Sequence, residues 1–184
     1  DLTQFKRWYC QAGTPTLTVT DSYNHETQEY CLTVAQSTPA TAECEHKLPF
    51  HMPLRMALLN SVGQPMPLQL QGDASISGID CVLDITQNQQ SFVFTGCAEA
   101  PTPSLLRGFS APVKLAYDYT QTQLLFLASH DQDGFNRWEA TQRLLIEATE
   151  TVMASPNKQA SLSSSLVDML RASLTNPELD SAMV

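Results

Sequence analysis

Apolar and polar residues alternate with a period of two along much of the chain, then switch to a helical period. Leu17 and Val19 alternate with polar neighbours in TPTLTVTDSY, and Tyr30, Leu32 and Val34 do so in QEYCLTVAQS. The turn formers DSYNHET lie between them, which predicts two strands joined as a hairpin. FHMPLRMALLN sets Met52, Leu54, Met56 and Leu58 on one face. Pro53 cannot donate a ladder hydrogen bond, so that strand is expected to start at an edge or a bulge. PMPLQLQG predicts a short strand, and CVLDITQNQQSFVFTGC two more, near 81–86 and 91–95. PVKLAYDY predicts the last strand, with Val113, Leu115, Tyr117 and Tyr119 on one side. TPATAECEHKLP (38–49) and the Pro-rich EAPTPSLLRGFSAP read as loops. About seven short strands with turn signals between them predict an immunoglobulin-like antiparallel β-sandwich. Nothing between the strands suggests crossover helices, so parallel pairing is disfavoured.

Both ends read as helical. Residues 2–11 predict a helix stopped by Gly13 and Pro15. After Tyr119, TQTQLLFLASH places Leu124, Leu127 and Ala128 on one helical face. Asp133 is expected to cap a second helix with the stripe Phe135, Trp138, Leu145, Ala148, Val152. ASPNKQASLS reads as a loop, and SSLVDMLRASL as a helix with Leu166, Val167, Leu170 and Leu174 on one face. Asn176 before Pro177 reads as a further helix start. The fold class is thus mainly β plus α, a sandwich followed by the first helices of an α-helical array. The expected division is an entry segment at 1–13, the sandwich at 14–119 and the helical part at 120–184. Both ends read as cut from a longer chain. The stripe Leu166, Leu170, Leu174 then lacks neighbours, which predicts association between copies or fraying beyond Met153.

Composition narrows the function classes. The 184 residues are 42% hydrophobic, as a folded core requires. Ten Lys plus Arg against nineteen Asp plus Glu give a net charge of −9, which disfavours nucleic-acid partners. No apolar run is long enough to span a bilayer, and no leader pattern is read, so a cytoplasmic protein without a membrane partner is expected. Cysteines at 10, 31, 44, 81 and 97 are odd in number and irregular in spacing. That favours free, buried thiols over a disulfide scaffold.

Candidate chemistry is sparse. HETQE (His25–Glu29) starts like the zinc signature H-E-x-x-H, which needs two imidazoles one helical turn apart. Here Glu29 replaces the second His, and the surroundings read as a hairpin tip. CEHKLPFH offers Cys44, His46 and His51, without further ligands at sensible spacing. His130, Asp131, Asp133 and Arg137 cluster in sequence. Asp133 is expected to cap its helix and to pair with Arg137 four residues on. No nucleophile elbow, P-loop or dinucleotide fingerprint is present. No catalytic, cofactor-binding or metal-ligating residue is assigned.

Three longer stretches carry a resemblance. QFKRWYCQAGTPTLTV, FSAPVKL and DGFNRWEATQRLL, with TPA (38–40) and FVFTG (92–96), closely resemble the bacterial aminopeptidase N branch of the gluzincin metallopeptidases. The resemblance covers essentially the whole chain. It implies a four-domain enzyme that removes N-terminal amino acids from peptides, of which this chain is the small β-sandwich and the start of the helical C-terminal domain. It implies zinc in the parent enzyme, held by H-E-x-x-H and a downstream Glu that this sequence does not contain. It implies, as partners, the catalytic and remaining helical domains of the same chain. The first expectation is therefore a structural, inactive segment; a freestanding immunoglobulin-like binding module is the alternative.

Overall fold

The computed structural model describes residues 2–154 and 163–176. It divides into two compact units: Asp1–Ser61 with Pro65–Asp118, and Val62–Gln64 with Tyr119–Val184.

The first unit is a two-sheet β-sandwich. Its strands are β1 (Thr16–Asn24), β2 (Glu29–Ser37), β3 (Met52–Leu59), β4 (Leu68–Leu70), β5 (Asp73–Gly78), β6 (Cys81–Ile85), β7 (Gln89–Phe94), β8 (Thr102–Leu105) and β9 (Lys114–Ala116). One sheet has the order β5-β4-β7-β2-β1-β9 and the other β6-β3-β8. The alternation read from the sequence is the alternation of burial. Leu17, Val19, Tyr30, Leu32, Val34 and Phe94 of the larger sheet are buried, as are Met52, Leu54, Met56, Leu58, Leu83 and Ile85 of the smaller. Gln36 continues the inward series of β2 although it is polar. Its amide accepts from Phe50 N (2.7 Å) and donates to Phe50 O and Gln87 O (both 2.9 Å), so all its burial is compensated.

Four features differ from expectation. β5 and β8 were not anticipated. β5 (DASISG) is an exposed edge strand with no apolar alternation to announce it. β8 contains Pro103, tolerated because β8 is also an edge. β9 runs parallel to β1, with Thr16–Thr18 beside Lys114–Ala116. No crossover helix is needed, because the chain traverses the other strands between the two. β3 is the middle strand of its sheet rather than an edge, but Pro53 falls where only β6 pairs with it. There Ser110 Oγ donates to Pro53 O and accepts from Arg55 N, standing in for a neighbouring strand.

The predicted N-terminal helix is shorter than expected. α1 covers Arg7–Cys10, preceded by helical turns whose bonds reach back to Leu2. Gly13 follows at φ +106, the left-handed region glycine allows.

The second unit contains α2 (Gln121–His130), α3 (Gly134–Ala154) and α4 (Ser164–Thr175). α2 buries Leu124, Leu127 and Ala128, as the spacing predicts, and opens with a capping box between Thr120 and Gln123. Asp133 caps α3, accepting from Asn136 N at 3.0 Å. The stripe expected on α3 is displaced: Asn136, Ala140 and Leu144 are buried, while Trp138 is exposed. Small Ala140 on an i, i+4 row lets a neighbouring helix approach, which bulk at Phe135 and Trp138 does not. On α4, Leu166 and Met169 are buried, whereas Val167 and Leu174 are exposed. The loop read at 154–163 lies largely, and the helix start at Pro177 wholly, outside the described residues.

Candidate functional site

HETQE is the tip of the β1–β2 hairpin. Tyr23 pairs with Tyr30 and Asn24 with Glu29 across it. Asn24 Oδ1 accepts from Glu26 N (2.9 Å) and Thr27 N (3.3 Å), the self-bonded turn that Asn favours. Glu29 Oε2 takes the Thr27 hydroxyl at 2.9 Å. His25 is exposed and Glu29 half-buried, on a turn that does not stack positions four apart.

The loop before β3 separates its three candidates. Cys44 Sγ donates to His46 O at 3.2 Å, so the thiol braces its own loop. His51 Nε2 lies 3.0 Å from Asp84 Oδ1 across to β6. His46 instead lines a polar cavity of about 270 Å³, with Gln36, Ser37, Glu45, Lys47 and Asn88 among its walls. Lys47 Nζ donates to Thr41 Oγ1 at 2.7 Å, and the Gln36 amide is spent on backbone.

The polar group at the α2–α3 junction is built for support. His130 Nδ1 lies 3.1 Å from Phe126 O, and its ring stacks on Phe126 at 5.0 Å. Asp131 is fully buried and accepts from Asp133 N at 2.9 Å. Asp133 is occupied with capping, and the charge that acts on Arg137 is that of Asp131. Burial pulls the guanidinium below its usual value, and Asp131 opposes that shift.

The five thiols are free, but only Cys81 and Cys97 are buried; Cys10 is exposed, and Cys31 and Cys44 are half-buried. Burial pushes the Cys81 thiol up to about 11, with Asp80 adding to it. Burial likewise raises Cys97, against a lowering hydrogen bond from Tyr30. Both buried thiols are thus held protonated and unreactive near neutral pH.

Zinc asks for three or four ligands within reach of one another. Among the described residues no three His, Cys, Asp or Glu side chains gather in that way, so they do not fit a zinc centre. Two features escaped the sequence reading: the Gln36 clamp, and the contacts of Gln4, Arg7, Trp8 and Gln11 with the sandwich. The first had a signal, a polar residue at an inward position of an alternating strand.

Comparison with known proteins places this architecture. Residues 13–118 match the domain of unknown function DUF3458, described as an Ig-like fold. Residues 121–184 match DUF3458_C, described as ARM repeats. Aminopeptidase N of Escherichia coli is 41% identical over the whole of this chain, which covers 21% of that protein. Aminopeptidase N of Haemophilus influenzae is 45% identical over 80% of this chain, covering 16% of that protein. The crystal structure of Legionella pneumophila aminopeptidase A in complex with aspartic acid matches the whole chain with a TM-score of 0.76 and 29% identity, over 19% of its own length.

Proposed function

The chain belongs to the DUF3458 family and is homologous to a region of bacterial aminopeptidase N, and on that premise we propose that it is a non-catalytic segment of a zinc aminopeptidase. The enzyme would remove N-terminal amino acids from peptides. The segment would hold the helical part in register against the catalytic part, with residues 1–13 leading in, 14–119 as the sandwich and 120–184 as the start of the helical array. It would work in the cytoplasm beside the other domains of the same polypeptide, without nucleic-acid or membrane partners.

The observation that carries this reading is the alignment of the entire chain with only about a fifth of the length of the aminopeptidases, 21% and 19%. The sequence supports it, because Glu29 stands where H-E-x-x-H requires its second imidazole. Zinc would then be held by residues outside this chain.

The test is to express residues 1–184 and assay aminoacyl p-nitroanilides with and without zinc. The expected result is no zinc-dependent turnover, together with no stoichiometric zinc uptake by titration calorimetry. Turnover removed by a chelator and restored by zinc would overturn the reading.

A further inference from the structure

The polar cavity of the sandwich draws its walls from three separate stretches: the end of β2, the loop 45–49 that leads into β3, and the turn between β6 and β7. One residue ties these stretches together. Gln36 N donates to Asn88 O at 2.9 Å, and the Gln36 amide holds Phe50 and Gln87 through their backbones. Gln36 is only 8% exposed, so this wall is fixed. The loop wall is fixed as well. Gln11 exchanges two hydrogen bonds with the backbone of Leu48, and Lys47 Nζ holds Thr41 Oγ1 at 2.7 Å. The cavity is therefore formed before any ligand arrives. Its volume of about 270 Å³ lies just below the ~300 Å³ at which drug-sized sites begin, and far above the ~15 Å³ that admits one water. It suits a small polar molecule.

The chemistry of the walls has two signs. Glu45 and Lys47 both line the cavity, yet no ion pair or hydrogen bond joins them. Among the described residues, the side chains of Glu45, His46 and Asn88 have no protein partner. Thr41 takes one of the three donors of the Lys47 ammonium, which leaves two. A carboxylate only accepts, an ammonium only donates, and the Asn88 amide does both. We propose that this cavity is a binding site for a small zwitterion, a molecule with a carboxylate and an ammonium a few atoms apart, as in a free α-amino acid. Lys47 and Asn88 take the carboxylate, and Glu45 takes the ammonium. A simple anion meets Glu45 as a like charge, and a simple cation meets Lys47 as one. A ligand with both signs can turn each end to its opposite. The site lies wholly within the first unit, and the proposal does not rest on the function proposed above.

The test is a titration of ¹⁵N-labelled residues 1–184 with L-alanine, followed amide by amide by NMR at fixed pH and ionic strength. Saturable shifts are expected at 36–38, 45–49 and 88. Propionate and isopropylammonium, with one charge each, are expected to bind about tenfold more weakly or worse. Glu45→Gln and Lys47→Met are each expected to weaken alanine binding by about tenfold and to leave the other amide shifts unchanged. Glu45→Gln keeps the test decisive if Lys47→Met disturbs the loop, because the Glu45 side chain holds nothing in the fold. Propionate binding as tightly as alanine would assign an anion site and overturn the proposal. Glycerol binding as tightly would assign a site for uncharged polyols and overturn it too. So would the absence of saturable shifts at about 100 mM alanine, or alanine binding that survives Glu45→Gln unchanged.

Discussion

Gly63 shows how much one missing side chain can matter. It is buried at φ +82, and a Cβ built there would stand 2.5 Å from Cβ of His130. His130 does not turn aside easily, because its ring is bonded and stacked on the preceding turn of α2. Gly72 has nearly the same backbone, φ +85, with nothing within 4 Å of the added atom. Gly72→Ala therefore meets only the left-handed strain, about 1–2 kcal/mol, while Gly63→Ala adds a steric clash and should lose about 2–4 kcal/mol. Urea unfolding followed by circular dichroism separates them; equal losses would show that His130 yields. At this scale the sequence is legible wherever a residue acts on its neighbours. Asp133 caps and Asn24 folds back on its own turn because both reach only two or three residues along. Gln36 declares itself only as a polar residue at an inward position, and Gly63 not at all, because their partners, Phe50 and His130, are distant in sequence.

Among elements, the helices depend on their first turns. Thr120 and Asp133 each satisfy an amide that has no partner within its helix. Thr120→Ala and Asp133→Ala should each lose about 1 kcal/mol from the helical unit. The losses should add in the double variant, because the two caps open different helices. Thermal melts at 222 nm check this, and an unchanged melt for Asp133→Ala would remove its capping role. Strands with a buried face were legible, since inward residues recur every second position in β1, β2, β3 and β6. β5 was not, because an exposed edge strand has no hydrophobic pattern to declare. The α3 stripe was misplaced for a related reason. Periodicity weighs bulk, while close helix packing selects small residues such as Ala140.

For the whole molecule, the exposed apolar side chains of the helical unit set its behaviour in solution. Trp138, Ile146 and Met153 on α3, with Val167 and Leu174 on α4, are exposed. Residues 1–184 should associate as concentration rises, more readily in salt that screens the net charge of −9. Ile146→Ser with Leu174→Ser should reduce that association. Light scattering showing a strict monomer at every concentration and ionic strength would refute it. The β-to-α order was legible at this scale because the period of the sequence changes near Tyr119. The parallel contact of β1 with β9 was not, since it joins strands almost the full length of the sandwich apart. That contact has a mechanical consequence. The first and last strands of the sandwich lie side by side and point the same way, with Lys114 N bonded to Pro15 O and Tyr117 Oη to Asp21 Oδ1. A tug on the two ends of this unit would load those bonds together in shear rather than unzip them singly, so the sandwich is wired to bear tension along its own strands.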